Sequence, residues 1–230
     1  MKKKIELYLD GPTIKEIKEF KNIDGYTFNP TLFKKLDARN YINFSKKICK
    51  YTKNKPLSIE VIADDEINCY EQAIKISKIS KNIFVKIPIT YTDGSSTLKL
   101  IQKLIQQNIN LNITAIFTIE QIKKILPSIS QTKTILSIFS GRLYDIGLDA
   151  SKLFLEMSNY VHKNSKCKTL WASSRMSYDF ISAIKSNGDI ITMPSDIAIK
   201  LKIFGKNPKS FSQETVQTFF NDAKKSGFKV

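Results

Sequence analysis

Lys86 lies in the stretch "KNIFVKIPIT", residues 81–90, among Ile83, Phe84, Val85, Ile87 and Ile89. The run reads as a strand, and strand side chains alternate between two faces. Ile83, Val85, Ile87 and Ile89 share one face, which leaves Phe84, Lys86 and Pro88 on the other. A lysine rarely enters an apolar run without a partner or a task. The same split recurs elsewhere. Glu6, Tyr8 and Asp10 stand opposite Ile5, Leu7 and Leu9; Ser58, Glu60 and Ile62 stand opposite Ile59, Val61 and Ala63. Asn112, Thr114 and Ile116 stand opposite Leu111, Ile113, Ala115 and Phe117. Gathered in one interior, these polar groups are costly unless they pair with each other. One reading is a buried ion-pair network of Lys86 with Asp10 and Glu60. The other is chemistry. An ammonium withdrawn from water among apolar neighbours gives up its proton more readily. The neutral amine then attacks a carbonyl to form a Schiff base. The iminium is an electron sink for breaking a carbon–carbon bond, and carboxylates such as Asp10 and Glu60 exchange the protons. The pattern points to a Schiff-base lyase or transferase.

Such groups converge only if the strands carrying them converge. Eight short apolar runs alternate with amphipathic stretches: 4–10, 25–30, 57–63, 83–89, 111–117, 133–140, 167–173 and 189–194. Each is followed by a helical pattern, such as "INCYEQAIKISKI" after the third and "SSTLKLIQKLIQQN" after the fourth. Eight strand–helix units in 230 residues fit a single-domain (β/α)8 TIM barrel of the α/β class. An open doubly wound sheet would need a Gly-rich phosphate loop after an early strand, and "LYLDGPT" has one glycine. The expected division is a barrel over residues 1–210 and a C-terminal helical segment over 211–230.

Composition narrows the function. Cys49, Cys69 and Cys167 are widely spaced and show no zinc or disulfide pattern. His162 is the only histidine, near a helix C-terminus where a cap interaction suits it. The net charge is +16, but the lysines are spread along polar helix faces, with no arginine-rich tract or interleaved aromatics. They read as a solvated surface rather than a nucleic-acid site. The only arginines are Arg39, Arg142 and Arg175, and Arg39 reads as a surface residue. "MKKK" is followed by acidic "IELYLDG" rather than by a signal-peptide core, and no apolar run is long enough to span a membrane. The expectation is a soluble cytoplasmic protein with no metal, cofactor, nucleic-acid or membrane partner.

The strand ends carry a series of motifs. They are "LYLD" with Asp10, "TFNPT" with Asn29, "SIEVIA" with Glu60, "VKIP" with Lys86 and "LNIT" with Asn112 and Thr114. Then come "SIFSGR" with Ser137, Phe139 and Arg142, and "ASSR" with Ser173 and Arg175. In this order the chain resembles the transaldolase family, and in length the short transaldolases and fructose-6-phosphate aldolases. The resemblance implies that Lys86 forms the Schiff base with C2 of a ketose phosphate. It implies that Asp10 takes the C4 hydroxyl proton during retro-aldol cleavage, and that Glu60 and Thr114 hold a catalytic water. Asn29, Asn112 and Ser137 would bind donor hydroxyls, and Arg142, Ser173 and Arg175 the phosphate.

Two positions separate the subfamilies. Glutamate at Glu60 and phenylalanine at Phe139 resemble the transaldolases; the aldolases usually carry glutamine and tyrosine. The resemblance thus implies transfer of a dihydroxyacetone unit between sugar phosphates, as in the pentose phosphate pathway, with an aldolase as the alternative and a non-catalytic binding protein on a barrel scaffold as a distant one. The chain departs from the family at Phe28 and Thr31, where "TTNPS" is common, at Ser174, where an aromatic is usual, and in "RLYDIG" after Arg142. In the last helix, Val216, Phe219 and Phe220 form an apolar stripe, with Phe211 before it. The stripe needs cover, from its own barrel or from a neighbouring subunit, as in the five-membered rings and decamers of short transaldolases.

Overall fold

The computed structural model describes residues 4–229. Eight parallel strands close into a barrel: β1 (Glu6–Asp10), β2 (Gly25–Phe28), β3 (Leu57–Glu60), β4 (Ile83–Pro88), β5 (Leu111–Ile116), β6 (Ile135–Ile138), β7 (Lys168–Trp171) and β8 (Ile190–Met193). Each strand pairs with its sequence neighbours, and β8 returns to β1 through the Leu7–Ile191 register. This is the (β/α)8 TIM barrel that the alternating pattern predicts, with an additional C-terminal helix.

Helices α1 (Ile14–Glu19), α2 (Pro30–Lys35), α3 (Tyr41–Tyr51), α4 (Glu66–Ser77), α5 (Leu98–Gln106) and α6 (Ile119–Ile129) lie in the first five connections. They are followed by α7 (Ser140–Asp145), α8 (Ala150–Asn164), α9 (Asp179–Lys185), α10 (Ser195–Ala198) and α11 (Pro208–Ser226). The helical region after β2 is two helices, because Asp37 turns left-handed at φ 50° and Asn40 starts α3 as an N-cap on Asn43 N. The short α7 leaves no amphipathic signature of its own, and it carries Arg142.

The outward faces of the strands are dry. Leu9, Ile59, Val85, Ile87, Ile113, Leu136, Ile191 and Met193 are fully buried, each worth about 1.5–3 kcal/mol of transfer free energy. Inside the barrel, Tyr8, Ile135, Leu170, Ala172 and Ile190 form an apolar cluster against which Phe84 and Phe139 pack. Tyr8 fits because its register partner is Gly25. A Cβ there would stand 2.5 Å from the Tyr8 ring. Its hydroxyl donates to Glu6 at 3.2 Å, and Glu6 in turn pairs with Lys168. Burial raises the Tyr8 pKa and keeps that donor protonated. Apolar side chains therefore fill the barrel around Tyr8, with the Glu6–Lys168 pair at the starts of β1 and β7 and Asp10 and Glu60 at the C-terminal ends of β1 and β3.

Two sequence expectations about faces are corrected. Ile62 does not share the inward face of β3, because the strand ends at Glu60; Ile62 is 55% exposed. In β5 the alternation breaks after Thr114. Ala115 adopts φ 59°, and the register jumps from Ile113↔Leu136 to Ile116↔Ile138, one residue too many on β5. This bulge returns Ile116 to the face of Ile113 and turns Phe117 towards Phe139, with ring centroids 5.7 Å apart.

A compact unit ends at Ala198, and a second begins at Ile199. The second contains a 3-10 turn, Ile199–Ile203, and α11, which starts on an Asn207 cap with Pro208 in the first turn and ends at Gly227 in the left-handed region. No residue of α11 is buried. Among the described residues, no helix is long and apolar enough to cross a membrane.

Candidate active site

Lys86 and Glu60 are register partners on β4 and β3, and both side chains turn into the barrel. Lys86 Nζ lies 3.1 Å from Glu60 Oε2, with the two side chains 6% and 16% exposed. The backbone under them is tied as well. Val61 N–H donates to Lys86 O at 3.1 Å, and the Tyr41 hydroxyl donates to Glu60 O at 2.5 Å. Burial, and then the Glu60 charge, raise the Tyr41 pKa, so this donor stays protonated. Removing a partner from a buried ion pair strands the other charge, so Lys86 and Glu60 are bound to each other energetically.

Asp10, at the end of β1, takes its hydrogen bond from the Thr27 hydroxyl at 2.6 Å. Thr27 Oγ1 also lies 2.6 Å from Thr192 Oγ1. Because the Thr27 proton goes to the carboxylate, Thr192 is the donor in that second contact. A chain of hydroxyls from β8 through β2 thus aims the Asp10 carboxylate. Burial pushes the Asp10 pKa up; the Lys86 charge and the Thr27 hydrogen bond pull it down without cancelling the rise. The expected Lys86–Asp10–Glu60 interaction is therefore uneven. Glu60 pairs with the ammonium directly, while Asp10 feels its charge and is held by a threonine.

Asn112 is the register partner of Lys86 on the other side. Its Nδ2 donates to Ser58 Oγ at 3.0 Å, and its Oδ1 accepts from Ser137 Oγ at 2.6 Å, so one amide spans β3, β5 and β6. Thr114, opposite Pro88, has a buried hydroxyl that makes no hydrogen bond. Asn29 caps α2 through Oδ1, which accepts from Leu32 N at 2.9 Å and leaves the amide NH2 as a donor.

The remaining predicted residues follow β6 and β7. Phe139 starts α7, and the Arg142 guanidinium lies 5.5 Å from the Phe139 ring centroid, at cation–π distance. Ser173 is left-handed at φ 64°, and Gly141 comes so close that a Cβ would stand 1.6 Å from the Ser173 carbonyl oxygen. Gly141 N–H also donates to Ala172 O at 3.3 Å. Only glycine allows α7 to meet the β7 turn this closely. Beyond it, the buried Asp179 carboxylate accepts from Arg175 N at 2.6 Å and Met176 N at 3.1 Å. Arg175 pairs with Asp145, a partner that the sequence reading passed over.

Asp10, Glu60, Lys86, Asn112, Thr114 and Ser137 thus lie within strands, and Asn29, Phe139, Arg142, Ser173 and Arg175 lie in the connections that follow β2, β6 and β7, at the C-terminal face where barrel sites are built. Sequence reasoning missed Thr27, Thr192 and Asp145. Thr27 was legible in principle, because it shares a strand face with Gly25 and Asn29. No group of three or more His, Cys, Asp or Glu residues with metal-binding geometry occurs among the described residues.

The fold is shared with solved structures of unrelated sequence. A thiamine phosphate pyrophosphorylase from Pyrococcus furiosus aligns at TM-score 0.56 with 10% identity, over 83% of this chain and 86% of its own. An enolase-superfamily protein from Agrobacterium tumefaciens aligns at 0.58 with 7% identity, over 85% of this chain and 51% of its own. These show the barrel alone. Sequence relatives are more informative. A probable transaldolase of Bartonella henselae is 32% identical over 227 residues, 97% of this chain and 98% of the relative. A probable transaldolase of Thermoplasma volcanium is 34% identical over 230 residues, 96% of each. The family model for transaldolase/fructose-6-phosphate aldolase matches residues 7–230, and the chain belongs to that family.

Proposed function

We propose that this chain is a transaldolase that works through a Schiff base on Lys86. The observation that carries the reading is the buried Lys86–Glu60 pair at 3.1 Å, together with the Asp10 carboxylate held by Thr27. Lys86 Nζ passes a proton to Glu60, 3.1 Å away, and the neutral amine adds to C2 of a ketose phosphate, fructose 6-phosphate or sedoheptulose 7-phosphate. The carbinolamine loses water to give the iminium. Glu60 and the unpartnered Thr114 hydroxyl suit a water that carries protons in that step. Asp10 takes the C4 hydroxyl proton, the C3–C4 bond breaks, and its electron pair moves into the iminium to leave an enamine. The aldose phosphate departs, and an acceptor aldehyde, erythrose 4-phosphate or glyceraldehyde 3-phosphate, then reverses the sequence. Asn29, Asn112 and Ser137 bind hydroxyls of the donor, with Asn112 already oriented by Ser58 and Ser137. The reading places the enzyme in the cytoplasm and in carbohydrate metabolism.

Transfer is favoured over simple cleavage by Phe139. A phenyl ring packed near Phe117 and under Arg142 has no hydroxyl to direct water at the enamine. Incubation with fructose 6-phosphate alone should yield little glyceraldehyde 3-phosphate, and adding erythrose 4-phosphate should yield sedoheptulose 7-phosphate. Rapid release of free dihydroxyacetone without an acceptor would mark the protein as an aldolase instead.

Arg142, Arg175 and Ser173 bind the phosphate in this reading. Arg142→Ala and Arg175→Ala should each cost about 1.5–3 kcal/mol in kcat/KM for phosphorylated substrates, the scale of a charge-assisted hydrogen bond. Transfer from free dihydroxyacetone to an unphosphorylated aldehyde should be affected much less. Equal losses for both substrates would remove the assignment.

We further propose a homo-oligomer, a pentamer or decamer, that covers α11 with a second copy of the chain. Val216, Phe219 and Phe220 are 64%, 67% and 62% exposed, and Phe211 is 46% exposed. Apolar rows of this kind are normally covered. Deleting residues from Phe211 onward should give smaller particles in light scattering. A full-length chain that runs as a monomer at micromolar concentration would refute the assembly.

A further inference from the structure

The Arg175 guanidinium is already engaged. Its Nε lies 3.0 and 3.1 Å from Oδ1 and Oδ2 of Asp145, and Nη2 also donates to Oδ2. Asp145 therefore fills the edge of the guanidinium formed by Nε and Nη2. The fork has five donors in a rigid plane. With that edge filled, the edge formed by Nη1 and Nη2 remains, and it too can bind two oxygens of a phosphate at once. The two side chains are 43% and 48% exposed. An ion pair this wet adds little to stability, so its consequence for the molecule is geometric.

The surrounding structure fixes both ends of the pair. Asp145 is the last residue of α7, one turn beyond Arg142; the Arg175 hydrogen bond first, then the Arg175 and Arg142 charges, hold its carboxyl below the ordinary value. Arg175 is held by its backbone N–H to the buried Asp179. The Gly141–Ser173 contact locks α7 to the β7 turn between them. Arg142, Asp145 and Arg175 thus form one cluster of two guanidiniums and one carboxylate.

We propose that Asp145 is a positioning residue for the phosphate end of the substrate: it occupies one edge of the Arg175 fork and aims the other edge at the phosphate. The proposal rests on the reading of Arg142 and Arg175 as phosphate ligands. It makes a prediction opposite in sign to simple electrostatics. A carboxylate beside a phosphate dianion repels it, so removing the charge alone would tighten binding. Removing an aiming group loosens binding in spite of the charge.

The test compares wild type, Asp145→Ala, Asp145→Asn and Arg175→Ala. The measurements are KM and kcat with fructose 6-phosphate, the inhibition constant of inorganic phosphate, transfer from free dihydroxyacetone to an unphosphorylated aldehyde, and the melting temperature. Asp145→Ala should raise KM and the phosphate inhibition constant roughly tenfold, the scale of one charge-assisted hydrogen bond. It should leave kcat and the dihydroxyacetone reaction nearly unchanged. Asp145→Asn keeps an acceptor for Nε and should recover part of the loss. If Asp145→Ala fails to fold, Asp145→Asn alone should still raise both constants several-fold. Unchanged or tighter phosphate binding in the folded variants, with Arg175→Ala impaired, overturns the role of Asp145 and leaves the arginine assignment standing. If Arg175→Ala keeps the wild-type KM and phosphate does not inhibit wild type, the phosphate reading fails and the proposal with it.

Discussion

Borohydride reduction in the presence of fructose 6-phosphate should leave a three-carbon adduct on Lys86 and on no other lysine. After C3–C4 cleavage the donor remains on Nζ as the dihydroxyacetone enamine. Protonation returns the iminium, and hydride adds to C2 to give a stable secondary amine. The selectivity follows from surroundings. Lys86 is 5% exposed, sits 3.1 Å from Glu60, and exerts its charge on Asp10. Lys168 lies at the start of β7, but its side chain is 44% exposed and pairs with Glu6, without Asp10 or Glu60 beside it. Lys86→Ala and Lys86→Arg should each lower kcat/KM by about 10⁴-fold or more, because no neighbouring group replaces a covalent nucleophile. Mass spectrometry of the peptide spanning residue 86 decides the matter. An adduct on a different lysine, or an active Lys86→Ala, would sink the mechanism. Absence of both adduct and turnover in the wild type would revive a non-catalytic barrel.

Lys86 and Glu60 were legible in the sequence because they obey the period-two rule in unbroken strands, and a closed barrel makes adjacent strands register partners. The limits of the rule are equally physical. Ile62 was misplaced because β3 stops at Glu60, and parity means nothing outside a strand. Ile116 and Phe117 exchanged faces because one left-handed residue, Ala115, inserts a bulge that leaves no pattern in the apolar run. Asp145 was passed over because its partner is Arg175, in another connection, and such pairings are set by how loops meet at the barrel mouth. The Gly141–Ser173 contact belongs to the same class. A glycine in "SGR" reads as permissive, whereas the requirement for it comes from a backbone thirty-odd residues later, visible only when α7 docks on the β7 turn. The motif series compensated for this, since its order carries what local spacing cannot: which side chains assemble at one face.

Asp10→Asn should divide the reaction in two. An amide cannot take the C4 hydroxyl proton, so cleavage should slow by about 10²–10⁴-fold, the range for loss of a general base. Schiff-base formation does not need that step. Borohydride should therefore trap the intact six-carbon sugar phosphate on Lys86 rather than the three-carbon fragment. The pH profile gives a second readout. Asp10 must be ionised to act as base, and burial raises its pKa above the ordinary carboxylate value. The acid limb of kcat/KM should accordingly lie above the ordinary aspartate value of about 3.9. The Thr27 hydroxyl opposes that rise by donating to the charged form at 2.6 Å. Thr27→Val removes the donor, favours the protonated acid, and should move the acid limb to higher pH while leaving the rate at neutral to alkaline pH less affected. Thr192→Val, which removes the donor to Thr27 rather than to the carboxylate, should move it in the same direction by a smaller amount. A limb that shifts downward in Thr27→Val, or a three-carbon adduct forming at the wild-type rate in Asp10→Asn, would take the base role away from Asp10 and leave Glu60 as the remaining carboxylate within reach of Lys86.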